Sequence, residues 1–326
     1  KLRIKYLEQE SQLGTGHAIK HVETLIKNKF LVIGGDDIFS QKDIQSCLRH
    51  KYAVLGCKVE NPERFGVFVV KNKEIKKVVE KPKNFVSDIA NTGLYVFDKT
   101  VFSYKLRKSK RGEYEIVDYV NMLAKKEKVI CEEVKGHWLS VGYPWDLISV
   151  NNYLVSKIKN NIRGKLEKNV TVHGTIQVGK GTVILSGTYI EGNIVIGDNC
   201  KIGPNCYLRG NSSIGNNCHI GQAVEIKNSI IMDFAKVPHL SYVGDSVIGV
   251  HSNLGAGTIT ANLRHDHENI KSTVKHEVID TGLRKFGAII ADNVHTGINT
   301  EIYPGRKIWP GVATKPGEKI FMDRTE

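Results

Sequence analysis

The chain has 326 residues, 40% hydrophobic and 25% charged, with 47 Lys and Arg against 34 Asp and Glu for a formal net charge of +13. That length exceeds one ordinary core and fits two domains, and the composition excludes a disordered or fibrous chain. No apolar run approaches the roughly 20 residues of a membrane-spanning helix, so no membrane partner is expected.

A charge this basic admits a solvated surface, steering of small phosphorylated substrates, or nucleic-acid binding. The lysines are spread along the chain in small clusters such as Lys105–Arg111 and Lys125–Lys128. No aromatic-plus-basic box for stacking bases accompanies them, so nucleic acid is not an expected partner.

In chain order, KLRIKYLEQE alternates like a strand and carries no signal peptide. It also lacks an initiator Met, so a preceding segment is expected. GTGHAIKHVETLI, from Gly14, reads as a glycine turn into a helix. FLVIGGDDIF, from Phe30, is an apolar strand running into Gly35-Asp36. YAVLGCKV, FGVFVV, KKVVEKP and NTGLYVFD are further strands, and EIVDYVNMLAKKE is an amphipathic helix. This alternation predicts an α/β, Rossmann-like domain over residues 1–160 with a mostly parallel sheet. Gly14-Thr15-Gly16 before a helix can set backbone N–H groups against a base or phosphate, or only start the helix. Asp36, at a strand end, suits Mg²⁺, which takes a carboxylate plus substrate phosphates; a helix cap is the other reading.

The second half keeps a period of six. Val172, Val178, Ile184, Ile190, Ile196, Ile202, Leu208, Ile214, Ile220 and Ile226 each follow the last by six residues. Neither a helix nor an ordinary strand holds that phase. Asn193, Asn199, Asn205, Asn211 and Asn217 stand three positions after the apolar residue, where a tight corner needs a left-handed backbone. A second column, Ile194, Cys200, Cys206, Ser212, Cys218 and Val224, is predicted to face inward as well. The pattern resembles the hexapeptide-repeat family, a left-handed parallel β-helix, here over residues 161–326. After Ile226 the phase slips and resumes near Ile231, Val237, Val243, Ile248 and Leu254. A polar insert from Asn262 to about Phe286 then interrupts it, before Ile302 and Ile308 restore it. Inserts in a solenoid form loops on one face and often carry function.

The six cysteines form no CxxC pair and no zinc spacing, which predicts a reducing, cytoplasmic compartment. Cys200 and Cys218, one coil apart, read as small core filler rather than a metal or redox pair.

In the first half, Gln9-x-x-Gln12-Leu-Gly14-Thr15-Gly16-His17, Gly35-Asp36, Phe65-Gly66-Val67, Glu80-Lys81-Pro82, Asn91-Thr92-Gly93 and Gly112-Glu113-Tyr114 follow in order. Together they resemble the sugar-phosphate nucleotidylyltransferases. The added β-helix makes the whole chain resemble the bifunctional sugar-1-phosphate nucleotidylyltransferase/amino-sugar-1-phosphate acetyltransferases. The resemblance implies that Gln9, Gln12, Gly14 and Thr15 recognise the pyrimidine of UTP or dTTP. It implies that Asp36 holds Mg²⁺, and that Gly66, Glu80, Lys81 and Asn91 hold the sugar phosphate. The family's opening loop, of the form G-x-G-T-R, is not in this sequence. The resemblance therefore implies a preceding first βα segment, without which nucleotidyl transfer is expected to be lost. Ser140 stands where relatives often carry a second metal-binding Asp.

In the second half, Lys236-Val-Pro-His239-Leu-Ser-Tyr242-Val-Gly-Asp is followed by Asn253-Leu-Gly-Ala-Gly-Thr-Ile-Thr-Ala-Asn262. Arg209 and Glu225-Ile-Lys227 lie upstream, and Lys271 lies in the insert. These resemble the family's acetyltransferase site. Acetylating an amine needs a base that works near neutral pH, and histidine suits it. The resemblance implies His239 as that base, with Arg209 and Lys227 on the sugar phosphate. Glu225, Tyr242, Asn253, Asn262 and Lys271 would bind the amino sugar and Ala256 the acetyl-CoA. It also implies a homotrimer whose acetyl sites lie between neighbouring β-helices. Leu263-Arg264 after Asn262, and the short chain end beyond Trp309-Pro310, point to the archaeal type. The sequence leaves open glucosamine-1-phosphate or galactosamine-1-phosphate as acceptor. Two alternatives also stand: a nucleotidylyltransferase whose β-helix only assembles or regulates, and a scaffold in which both sites have decayed.

Overall fold

A computed structural model describes residues 3–109 and 111–326. The chain divides into two compact units, Lys1–Ser140 and Val141–Glu326. The division falls ahead of the expected residue 160 because helix Asp146–Val155 belongs to the second unit. Its Asn151 Nδ2 donates to Asn211 O at 2.9 Å, and Ser213 Oγ donates to Asn151 Oδ1 at 2.5 Å.

The first unit contains α1 (Thr15–Lys20), α2 (Gln41–Leu48) and α3 (Ile116–Leu123). Its strands are β1 (Phe30–Val32), β2 (Asp37–Phe39), β3 (Ala53–Lys58), β4 (Gly66–Lys71), β5 (Glu74–Glu80), β6 (Ile89–Phe97), β7 (Ile130–Glu133) and β8 (Trp138–Ser140). Six of them form one sheet in the order β1-β6-β3-β7-β5-β4. The expected mostly parallel sheet is not found: only β3 and β7 pair in parallel, and every other described pairing in that sheet is antiparallel. The connections explain this. Asn72 and Lys73, both at positive φ (52° and 63°), form a two-residue loop between β4 and β5, and a loop that short can only turn the chain back antiparallel. Residues 3–9, expected as a strand, carry no strand assignment, because they join no ladder among the described residues. Val54, Phe68, Tyr95, Phe97, Tyr119 and Leu123 fill the core beneath α3. A separate ribbon pairs β2 with β8, Asp37 opposite Ser140.

The second unit is a parallel β-helix. Strands Thr171–Val178, Tyr189–Ile196 and Tyr207–Ile214 stack in register, as do Val183–Ile184, Lys201–Ile202 and His219–Gln222, each 18 residues on. The period-six residues fill the axis: Ile184, Ile190, Ile202, Leu208, Ile220 and Ile226 are fully buried, and only Val172 is half-buried. The second column is buried too, from Ile194 to Val224. Cys200 and Cys218 stack as core filler, the Cys218 N–H meeting Cys200 Sγ at 3.4 Å, and both thiols are free.

The asparagine column divides in two. Asn199, Asn205 and Asn217 take the left-handed backbone of a corner (φ 57°, 53° and 57°). Asn193 and Asn211 instead lie inside long strands, where Asn193 Nδ2 donates to Asn211 Oδ1 at 3.0 Å. There the corner is one residue earlier. Gly192 has φ 100°, and a Cβ on it would lie 2.4 Å from Gly210 O, so only glycine fits.

The phase slip is two successive coils, each shortened by one residue: Ile214 sits beneath Ile231 and Ile231 beneath Ile248. The insert carries an antiparallel hairpin, Lys271–Val274 with Glu277–Asp280. Its ends are pinned by Ile270 and Phe286, which pack with Trp145, Ile148 and Val247. Among the described residues, no helix is long and apolar enough to cross a membrane.

Candidate functional site

In the first unit the glycine turn is clamped by Tyr114. Its N–H donates to Leu13 O and its carbonyl accepts from the Gly16 N–H, each at 2.8 Å. Gly14 has φ 103°, and a Cβ on it would meet Tyr114 O at 2.5 Å, so glycine is required there. Gln9 braces the turn, with Nε2 3.3 Å from Gly14 O and 2.8 Å from His17 Nδ1. The Thr15 hydroxyl accepts the Ile116 N–H at 3.1 Å and so seats α3. Gln12 is exposed and makes no side-chain hydrogen bond among the described residues. Gln9, Gly14 and Thr15 thus form one rigid loop, beside a cavity of about 340 Å³ lined by His17, Lys20, Tyr104 and Tyr114.

Gly66, Glu80, Lys81 and Asn91 line one cavity of about 270 Å³, together with Arg64 and Asp37. The β4–β5 hairpin sets Gly66 opposite Glu80, and Asn91 donates from Nδ2 to Tyr95 OH at 2.6 Å. Asp37 joins Glu80 as a carboxylate on this cavity, whereas Asp36 occupies an exposed turn. Burial pushes the Asp37 carboxyl above its ordinary range. Hydrogen bonds from Trp138 Nε1, at 2.8 Å, and from Ser140 oppose that shift, and neighbouring Asp36 adds to it. Ser140 therefore serves Asp37. Asp37 was not singled out in the sequence; the doubled Asp36-Asp37 was its only signal. Two successive carboxylates near Arg64 and Lys81 are a donor set that fits Mg²⁺ bound together with substrate phosphates. No group of three His, Cys, Asp or Glu that could hold a metal occurs among the described residues.

In the β-helix, Arg209 lies opposite Lys227, and Glu225 opposite Tyr242. Arg209 Nε is 2.7 Å from Glu225 Oε1, and its guanidinium lies over the Tyr207 ring. Lys227 Nζ is 2.5 Å from Asp245 Oδ2. Asn262 Nδ2 donates to Asp245 Oδ2 and, at 3.0 Å, to Tyr242 OH. Burial first, then Asp245 and Glu225, raise the Tyr242 phenol, which therefore stays a neutral hydrogen-bonding group. Contacts thus gather Arg209 with Glu225, and Lys227 with Tyr242, Asn262 and the unforeseen Asp245. The sequence period did not mark Asp245: the coil here is one residue short, so Gly244 stacks on Lys227 and Asp245 stands one residue past it.

His239 ends the strand Lys236–His239 on the adjoining face. Its imidazole is exposed and makes no hydrogen bond among the described residues. Ala256 follows one coil on, where the Gly257 N–H donates to His239 O at 3.3 Å. Asn253 sits in the ladder between Lys236 and His295. Lys271 is exposed on the hairpin opposite Asp280, and no contact among the described residues brings it to the cluster.

The Nucleotidyl transferase family profile matches residues 1–157, and the GMPPB C-terminal domain profile matches residues 190–303. The chain is 42% identical over 325 residues to the "Bifunctional protein GlmU" of Methanocaldococcus jannaschii, covering 99% of this chain and 79% of that protein. It is 47% identical over 311 residues to the protein of the same name from Methanococcus maripaludis, covering 94% and 75%. It is 41% identical over 317 residues to a "Bifunctional sugar-1-phosphate nucleotidylyltransferase/acetyltransferase" of Sulfurisphaera tokodaii, covering 95% and 78%.

Proposed function

The chain belongs to the bifunctional GlmU family of sugar-1-phosphate nucleotidylyltransferase/acetyltransferases, and from that premise we propose how its residues divide the two reactions. It is a transferase with both activities on a sugar-1-phosphate. In this reading the β-helix acetylates an amino-sugar-1-phosphate, glucosamine- or galactosamine-1-phosphate, from acetyl-CoA. The amine nitrogen attacks the thioester carbonyl, His239 takes the amine proton, the C–S bond breaks, and the thiolate leaves with a proton. Tyr242, Asn253, Asn262 and Lys271 orient the sugar together with Glu225, Arg209 and Lys227 pair with its phosphate, and Ala256 borders the thioester. The observation that carries this reading is the polar cluster from Arg209 to Asn262, joined by the corner Leu240–Ser241 to an exposed, unengaged His239.

In the first unit, Gln9, Gln12, Gly14 and Thr15 hold the pyrimidine of UTP or dTTP, while Gly66, Glu80, Lys81 and Asn91 hold the sugar phosphate. A phosphate oxygen of the sugar-1-phosphate attacks the α-phosphate in line, and pyrophosphate leaves. Mg²⁺, held by Asp36 beside Asp37, would neutralise phosphate charge. The enzyme works in the cytoplasm as a homotrimer, which the flat outer faces of the coil suit.

The test is thiol release from acetyl-CoA with each amino-sugar-1-phosphate, using the native chain and His239→Ala. Sugar-dependent release that collapses in the variant supports the reading. A folded chain that releases no thiol with either sugar overturns it.

A further inference from the structure

The insert leaves the coil at Asn262 and rejoins it at Phe286, whose N–H donates to Asn262 O at 3.1 Å. Its hairpin carries Lys271, which is exposed, so the backbone around Lys271 must aim the side chain. Packing alone leaves that backbone loosely held. Val274 and Ile279 of the hairpin line a cavity of about 670 Å³, together with Tyr143, Ile289 and Trp309.

Polar contacts from a later rung hold it instead. Strand Arg306–Ile308 lies one coil beyond Ala288–Ile290, and its Lys307 is 7% exposed. The Lys307 ammonium has three protons and meets three acceptors: Ser272 Oγ at 3.0 Å, Thr273 O at 2.5 Å and Asp323 Oδ2 at 2.6 Å. Asp323 Oδ1 also accepts the Lys307 N–H at 2.9 Å. Ser272 Oγ donates onward to Gly305 O at 2.8 Å, and Arg306 Nη2 donates to Lys271 O at 3.2 Å. Gly305, at φ 76°, comes so close that a Cβ on it would lie 2.6 Å from both Lys271 O and Ile270 Cγ2. One corner of the coil therefore grips residues 270–273 through side chains and backbone alike. A buried ion pair adds little stability over an apolar substitute of the same shape, and its best-attested use is to fix one arrangement of the chain.

We propose that Lys307 is a positioning residue for acetyl transfer: with Asp323 it locks the hairpin so that Lys271 presents its ammonium to the amino-sugar-1-phosphate. This rests on the acetyltransferase reading and on the place of Lys271 in it. With its ammonium fully engaged, Lys307 acts through the backbone of Ser272 and Thr273. Asp323, beyond the rung Lys319–Ile320, thereby contributes to acceptor binding through the lock.

The experiment is a double-mutant cycle in thiol-release kinetics with Lys271→Ala, Lys307→Met and the two combined. Lys271→Ala is expected to raise the KM of the amino-sugar-1-phosphate about tenfold or more, as loss of a charged hydrogen bond implies. Lys307→Met should raise the same KM about fivefold or more, with kcat and the KM of acetyl-CoA unchanged. In the combined variant the two effects should not add, because without Lys271 the lock has nothing to aim. Hydrogen exchange gives a readout apart from catalysis: Lys307→Met should speed exchange in residues 271–280 and leave the rungs from Ile184 to Ile226 protected. Ser272→Ala removes one acceptor of the lock and repeats the cycle in milder form should Lys307→Met fail to fold. If folded Lys307→Met keeps the native KM, or its effect adds in full to that of Lys271→Ala, the positioning role is overturned while the acetyltransferase reading stands. Unchanged exchange in the hairpin overturns the lock as well. If Lys271→Ala keeps the native KM in a chain that releases thiol, Lys271 holds no sugar and the positioning role falls with it. A folded native chain that releases no thiol overturns the acetyltransferase reading itself, and the proposal with it.

Discussion

Lys227 and Asp245 close a charge pair across one corner of the coil, with Lys227 Nζ 2.5 Å from Asp245 Oδ2. The Asp245 side chain is 4% exposed and also accepts from Asn228 Nδ2, at 2.8 Å, and from Asn262 Nδ2. One carboxylate therefore holds three donors that come from two stretches of chain, Lys227–Asn228 and Asn262.

Asp245→Ala leaves Lys227, itself only 15% exposed, without its counter-charge. Removing one partner of such a pair destabilises by about 3 kcal/mol. A clear fall in the thermal midpoint of the β-helix is expected, with a raised KM for the amino-sugar-1-phosphate. A variant that melts with the native chain and keeps its KM rules out this organising role.

His239→Ala should act on chemistry and not on the fold. The imidazole is exposed and unengaged, so the thermal midpoint should stay within about 1 °C, as for a neutral surface substitution. Loss of a general base typically lowers kcat about 10²- to 10⁴-fold. Unchanged thiol release in the variant removes His239 from the mechanism.

Asp37 gives a pH signature with a definite sign. Its carboxyl is raised in the folded state, chiefly by burial, so folding favours the protonated form. Stability from this group is present below the unfolded carboxylate pKa and is lost as pH rises through the folded value. Asp37→Asn should therefore gain stability over the native chain at neutral pH, and the gain should fade on acidification towards the unfolded value. Urea midpoints of both chains across that range decide it, and a gap that does not vary with pH contradicts the burial argument.

The thiols should divide by burial. Cys47, Cys131, Cys200, Cys206 and Cys218 are buried and Cys57 is half-buried, and all six are free. Burial pushes Cys47 and Cys131 up to about 12 and raises Cys57 less. A thiol-specific reagent should label Cys57 slowly in the native chain and all six cysteines in denaturant. Fast labelling of Cys200 or Cys218 without denaturant contradicts the packed column.

The sequence by itself determined the β-helix, because a coil that repeats every 18 residues over three faces must place an apolar residue inward every six. Ile184 through Ile226 therefore announced the axis, and Ile194 through Val224 the second inward column. The motif resemblance also assembled Gly66, Glu80, Lys81 and Asn91, which share one cavity. Sheet direction escaped it, since apolar runs such as Val67–Val70 report burial but not direction; the Asn72–Lys73 loop decided that. Only the tertiary structure put Asp37 rather than Asp36 on the cavity, by pairing β2 with β8. Only it brought Asp245 to Lys227, and Lys307 to Ser272 and Asp323. Periodicity records which way a residue faces relative to the core. Which charged side chains meet depends on how far each corner shifts one rung over the next, and a coil shortened by one residue changes every such meeting after it.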